Sequence, residues 1–148
     1  MTTWDALIHK SVVSARYKAR KRALDFLFEA DIRKADPLEL FKNREQTELS
    51  EAEYVSTILN GVAAHREKID ELIISYAEGW DLDRMPTVDR NILRIALFEM
   101  FWSPDVPSDV LISEALKLSD ENSTSDSTKY INGVLSRILA LKPSLNIQ

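Results

Sequence analysis

The chain contains no cysteine, two histidines and three glycines among its 148 residues. Without cysteine there is neither a disulfide nor a thiol nucleophile, as expected of a protein from a reducing cytosol. His9 and His65 stand far apart with no cysteine to complement them, so no zinc-ligand spacing exists and no metal site is expected. So few glycines leave no phosphate-cradling loop, no dinucleotide fingerprint and no serine-centred elbow, and neither a cofactor nor a catalytic residue is expected. Long apolar runs are missing too. The richest stretch, 92–102, is interrupted by Arg94 and Glu99 and falls short of the ~20 residues that cross a bilayer. Residues 1–13, broken by Asp5, His9 and Lys10, form no signal peptide. The expectation is a cytoplasmic protein with no membrane span.

Hydrophobic content of 45% with 29% charged residues suits one compact domain with a buried core. The charge is unevenly spread. Net charge is −5, yet the first 22 residues carry six Lys/Arg (Lys10, Arg16, Lys18, Arg20, Lys21 and Arg22) against the single acid Asp5. A positive end on an acidic body is the first pointer to an anionic partner.

The pattern reads all-α. Gly61 and Gly133 lie inside helical periodicity, leaving only Gly79 as turn punctuation. Ser14 is expected to cap a first helix running to about Lys34, with Ala19, Ala23, Phe26, Leu27 and Ala30 on one face. Asp36, Pro37 and Glu39 open a short second helix toward Gln46. Ser50 and Glu53 have capping-box spacing, and an apolar stripe from Val55 to Tyr76 follows, as one helix or as two broken near His65 and Arg66. After a connection over 79–86, Thr87 is expected to cap a helix that is apolar around most of its circumference and therefore central. Ser108 caps the next, residues 120–124 turn the chain, and Ser125 or Asp126 caps a last helix stopped by Pro143. The domain plan is an extension over 1–14, one helical domain over 15–142 with halves of about 15–82 and 83–142, and a tail over 143–148.

Most carboxylates, including Asp25 with Glu29 and Asp70 with Glu71, are expected on solvated helix faces. Glu99, an acid within the apolar helix, is assigned to a salt bridge or cap contact. The basic cluster says more. Placed in the first turns of a helix, Arg16, Lys18, Arg20, Lys21 and Arg22 would each oppose the helix dipole at a cost of roughly 0.3 to 1 kcal/mol. An anionic ligand reverses that sign, since amides, dipole and guanidinium groups would all attract phosphate. At about 100° per residue, Arg16 and Arg20 share one flank, Lys18 and Arg22 another, and Lys21 lies between them on the outward side. A solubilising helix start is the plain alternative. A second candidate is the start of the last helix, where Ser125, Asp126, Ser127, Thr128, Lys129 and Tyr130 combine hydroxyls, a carboxylate, a cation and a ring, the materials of single-stranded RNA recognition. Capping and core packing explain the same residues more simply.

Four separated blocks carry a resemblance. Leu93-Arg94-Ile95-Ala96-Leu97-Phe98-Glu99-Met100, Asp105-Val106-Pro107, Ser113-Glu114-Ala115-Leu116-Lys117-Leu118, and Asp126-Ser127 with Tyr130-Ile131-Asn132-Gly133-Val134-Leu135 resemble the NusB family of transcription antitermination factors in order and spacing. Ala19-Arg20-Lys21-Arg22-Ala23 resembles that family's arginine-rich opening, so the likeness spans roughly 15–141.

The resemblance implies an all-helical fold of six or seven helices in two three-helix halves sharing one core. It also implies binding of boxA RNA as a heterodimer with the ribosomal protein NusE, in a complex that joins elongating RNA polymerase and supports ribosomal RNA transcription. Carried onto this chain, the RNA surface comprises Arg16, Lys18, Arg20, Lys21 and Arg22 with Asp126, Ser127, Lys129 and Tyr130. Tyr130 replaces a phenylalanine usual in the family and keeps a stacking ring. Tyr17 and Lys18 stand where the family is often richer in arginine. Asp89 stands where an acidic contact to NusE is expected. Some members self-associate, so a homodimer that covers the RNA surface is a further expectation. The competing readings are a NusB-like domain of the kind that precedes the catalytic domain of RNA cytosine methyltransferases, and a protein-interaction module whose basic start meets an acidic partner.

Overall fold

A computed structural model describes residues 3–44 and 49–147, with the side chains of residues 5–14, 49 and 50 outside the described set. The described residues form seven α-helices and two short 3-10 turns joined by connections, with no strand among them: α1 (Thr3–Arg33), α2 (Pro37–Arg44), α3 (Leu49–Ala64), α4 (Arg66–Tyr76), α5 (Thr87–Trp102), α6 (Ser108–Asn122) and α7 (Ser125–Leu141). None of the helices is long and apolar enough to cross a membrane.

The chain divides into two compact units, Met1–Asn60 and Gly61–Gln148, the division falling inside α3. In the first unit α1 packs on α2, and the ring of Phe26 meets that of Phe41 edge to face at 5.5 Å. Asp36 opens α2 as its spacing predicts, accepting a hydrogen bond from the Leu38 amide at 3.0 Å. The backbone reverses just before it through Lys34 at φ 54°.

α1 departs from expectation. It begins at Thr3, so Ser14 is an interior residue and not a cap. An N-cap forms only where the chain leaves the helix, and residues 3–14 hold no proline or glycine to make it leave. Gln46 lies outside the described residues, as does the side chain of Ser50; α3 already includes Leu49, so Ser50 does not stand before the first helical residue.

In the second unit α5 is the centre. Every residue from Asn91 to Met100 is buried, and α4, α6 and α7 all pack against it. The expectation of a central, buried helix is thereby borne out, with Asn91, Arg94 and Glu99 buried among the apolar residues. The stripe from Val55 to Tyr76 is two helices, broken at His65 (φ −114°, ψ 15°). No breaker residue causes the corner; the His65 imidazole lies flat on the Trp102 indole, 4.0 Å between centroids and 7° between planes. Thr87 and Ser108 are first helical residues, preceded by Pro86 and Pro107, and neither helix has a side-chain cap. α6 runs on through Asn122, which shrinks the expected turn over 120–124 to Ser123 and Thr124.

Candidate nucleic-acid interface

On α1 the five candidate cations lie in mid-helix. The dipole penalty and the free amides expected of a helix start therefore do not apply to them: both belong to the terminal turns. Lys18 and Lys21 are exposed, Arg16 and Arg22 half-buried, and Arg20 is 2% exposed. Tyr54 of α3 sorts them further, for the guanidinium of Arg16 lies 4.7 Å from its ring centroid and that of Arg20 5.6 Å. Arg22 lies 5.5 Å from the Phe26 centroid, with its Nε buried and without a hydrogen-bond partner. Next to it, burial pushes the Asp25 carboxyl up while Lys21 and Arg22 pull it down. Glu29, one turn on, is no solvated bystander: Arg44 of α2 donates to it, and that hydrogen bond holds its carboxyl below the usual range.

The start of α7 is built differently. Its cap is Thr124, one residue before Ser125 and two before Asp126, the expected caps, and the Thr124 hydroxyl accepts from the Ser127 amide at 3.1 Å. Ser125, Asp126 and Lys129 are exposed. Ser127 spends its hydroxyl inward, donating at 2.6 Å to Asp89, which also accepts from Ser123 at 2.7 Å. Asp89 is 3% exposed, so its carboxylate orients the turn before α7 and its first residues and offers little surface to a partner. Thr128 accepts or donates at 2.7 Å to buried Ser119 of α6. Two inward hydroxyls thus hold the turn from which Asp126, Lys129 and Tyr130 project.

Tyr130 is half-buried, and its hydroxyl donates to the Glu78 carbonyl at 3.2 Å. Burial pushes the phenol up from its ordinary value, and the Glu78 carboxylate adds to the shift. Across from it stands Trp80, 45% exposed, with ring centroids 6.1 Å apart and planes tilted by 54°. Sequence reading passed over Trp80 because it lies in the connection over 79–86, outside every helical stripe. Its signal was a large ring directly after the glycine of a turn. No group of three or more His, Cys, Asp or Glu that suits a metal occurs among the described residues.

The family model described as the NusB family matches residues 17–140. The chain belongs to the NusB family. It is 51% identical over 127 residues to the transcription antitermination protein NusB of Acidothermus cellulolyticus, covering 85% of this chain and 88% of that one. With the protein of the same name from Thermobifida fusca it shares 46% identity over 134 residues, 90% of this chain and 94% of its relative. Among solved structures it is similar to T. maritima NusB, with a TM-score of 0.79 at 31% identity over 84% of this chain and 90% of the other. A crystal structure of the antitermination factors NusB and NusE in complex with double-stranded RNA gives a TM-score of 0.75 at 27% identity, covering 86% of this chain and 97% of that one. This NusB-family chain is accordingly a transcription antitermination factor and not an enzyme, and its all-α fold is the one its sequence implied.

Proposed function

We propose that this chain binds boxA RNA together with NusE in the cytoplasm and enters the RNA polymerase elongation complex in that form, supporting transcription of ribosomal RNA. The observation that carries the reading is the likeness, over 86% of the chain, to a NusB solved with NusE and RNA. Two surfaces of this chain supply suitable chemistry, each within its own unit. On α1, exposed Lys18 and Lys21, with half-buried Arg16 and Arg22, offer charge to the RNA backbone. Arg20 contributes mainly by fixing this face through Tyr54. At the start of α7, Asp126 accepts from a base amino group, Lys129 meets a phosphate and Tyr130 stacks a splayed base. Ser127 contributes through Asp89, and Asp89 reaches NusE only indirectly, through the turn it holds.

The test is titration of labelled boxA RNA, beside a scrambled RNA of equal length, with and without NusE. Preference for boxA that strengthens with NusE is expected, with log affinity falling against log salt by about 0.7 per neutralised phosphate. Equal binding of both RNAs in the presence of NusE overturns the reading. RNA affinity that declines as the protein is concentrated identifies a homodimer covering the RNA surface.

A further inference from the structure

We propose that Trp80 forms a second nucleobase-stacking position beside Tyr130, so that the segment 78–84 and α7 together hold one further nucleotide of a single strand. The proposal rests on the RNA-binding reading above and extends it to a surface that neither helix periodicity nor the basic cluster indicated.

Four observations carry it. An indole 45% exposed is costly unless something covers it, for tryptophan brings the largest apolar surface of any side chain. It is also held in place. Gly79 turns the backbone at φ 85°, a conformation that L side chains rarely adopt, and Tyr130 is tied to the residue before that glycine by the hydrogen bond to the Glu78 carbonyl. The two rings are close but not packed, since at 6.1 Å and 54° they present two inclined faces and not one sealed stack. Finally, a shallow hollow of about 270 Å³ lies beside the indole, lined by Gly79, Trp80, Asp81 and Arg84. Arg84 is 84% exposed, and its ion pair with Asp81 is 3.9 Å long, so a phosphate would readily displace that contact.

An open π-face, a neighbouring ring, a glycine turn that leaves room for backbone and an exposed guanidinium are what a single-stranded nucleotide needs: stacking for the base and charge for the phosphate. A protein partner would use the indole otherwise, burying its edge in a pocket of its own without regard to any one nucleotide. The arginine and the hollow favour the nucleotide.

The experiment is an abasic scan of boxA RNA against the full chain with NusE, for the wild type and for Trp80→Ala, Trp80→Leu and Trp80→Phe. In the wild type, one abasic position in addition to the one read by Tyr130 should weaken binding on the order of tenfold. Trp80→Ala should weaken intact boxA by a similar factor and make that one position indifferent, leaving every other position as costly as before. Phe should restore part of the loss and Leu little, whereas a packing role would be restored by Leu. Circular dichroism of the variants separates folding from binding. An abasic profile unchanged in Trp80→Ala, with boxA still preferred over scrambled RNA, overturns this proposal and leaves the RNA-binding reading standing. The same holds if Trp80→Ala weakens NusE binding alone, which assigns the indole to the protein partner. If wild-type protein shows no preference for boxA, both fall together.

Discussion

Asp70 of α4 takes two hydrogen bonds from one guanidinium of α5: Arg94 Nε donates to Oδ1 at 2.9 Å and Nη2 to Oδ2 at 3.2 Å. Arg66 adds a third, from Nε to Oδ2 at 3.1 Å, and Arg94 Nη1 donates to Asn91 at 3.1 Å. Arg94 is 4% exposed, and a guanidinium at that depth that loses its carboxylate is far costlier than one in water. Asp70→Ala should therefore destabilise the protein by about 3 kcal/mol, read by urea denaturation. Replacing both partners, Asp70→Leu with Arg94→Met, should recover most of that. A double variant no more stable than Asp70→Ala would show that the pair itself, and not the stranded charge, is what counts.

This pair marks where sequence reading stopped short. Asp70 and Glu71 are neighbours in an amphipathic pattern, and periodicity places both toward solvent; only the packing of α5 on α4 reveals that Asp70 faces an arginine. Burial of α5 was legible because apolar residues surround most of its circumference, and the start of α2 was legible because Asp36 and Pro37 act locally. The start of α1 was not, since serine is tolerated inside a helix as well as favoured before one. At the candidate site the residue types were legible and their directions were not. Lys18 and Lys21 are exposed as a cation surface requires, while Arg20, Ser127 and Asp89 turn inward to partners distant in sequence.

Gly61 is small because Phe98 needs the space. A Cβ built on Gly61 would lie 2.0 Å from the Phe98 ring, which belongs to the buried face of α5. Gly61→Ala gains helix propensity of about 1 kcal/mol yet must displace a packed aromatic ring, so a net loss of roughly 1 to 3 kcal/mol is expected. Gly133, with open space around it, provides the control. There the same substitution should stabilise by about 0.5 to 1 kcal/mol. Thermal melts of the two variants moving in the same direction would contradict this account.

Asp89 accepts from Ser123 and Ser127, and both hydroxyls precede or open α7. Asp89→Ala leaves two inward hydroxyls without their acceptor, at an expected cost of about 1 to 3 kcal/mol. Hydrogen exchange should show faster opening over the first turn of α7 than elsewhere in the second unit. Uniformly raised exchange would mean that Asp89 stabilises the unit as a whole and does not specifically hold this turn.

Glu29 links α1 to α2 through Arg44, and the hydrogen bond depresses its carboxyl. A carboxyl lowered on folding stabilises the native state above its unfolded titration range, and that contribution disappears as pH falls through the folded value. Glu29→Gln should therefore lower the melting temperature at neutral pH. The difference from wild type should close as the solution is acidified below the usual carboxylate range. A gap that persists at acid pH would assign the effect to packing and not to charge.

Exposure separates the α1 cations into two groups, for which the RNA-binding proposal predicts different behaviour. Lys18 and Lys21 stand in solvent, whereas Arg20, 2% exposed, lies over the Tyr54 ring. Lysine replaced by glutamine at either exposed position should reduce the magnitude of the salt slope of boxA binding by about 0.7, because one counterion fewer is released, while leaving the melting temperature nearly unchanged. Arg20→Gln should do the reverse. Its loss removes a buried contact, so the melting temperature falls while the salt slope measured on the remaining folded protein stays close to wild type. Should Arg20→Gln flatten the slope as much as the lysine variants do, its guanidinium must leave Tyr54 for phosphate when RNA binds, and the division of labour along α1 would have to be redrawn.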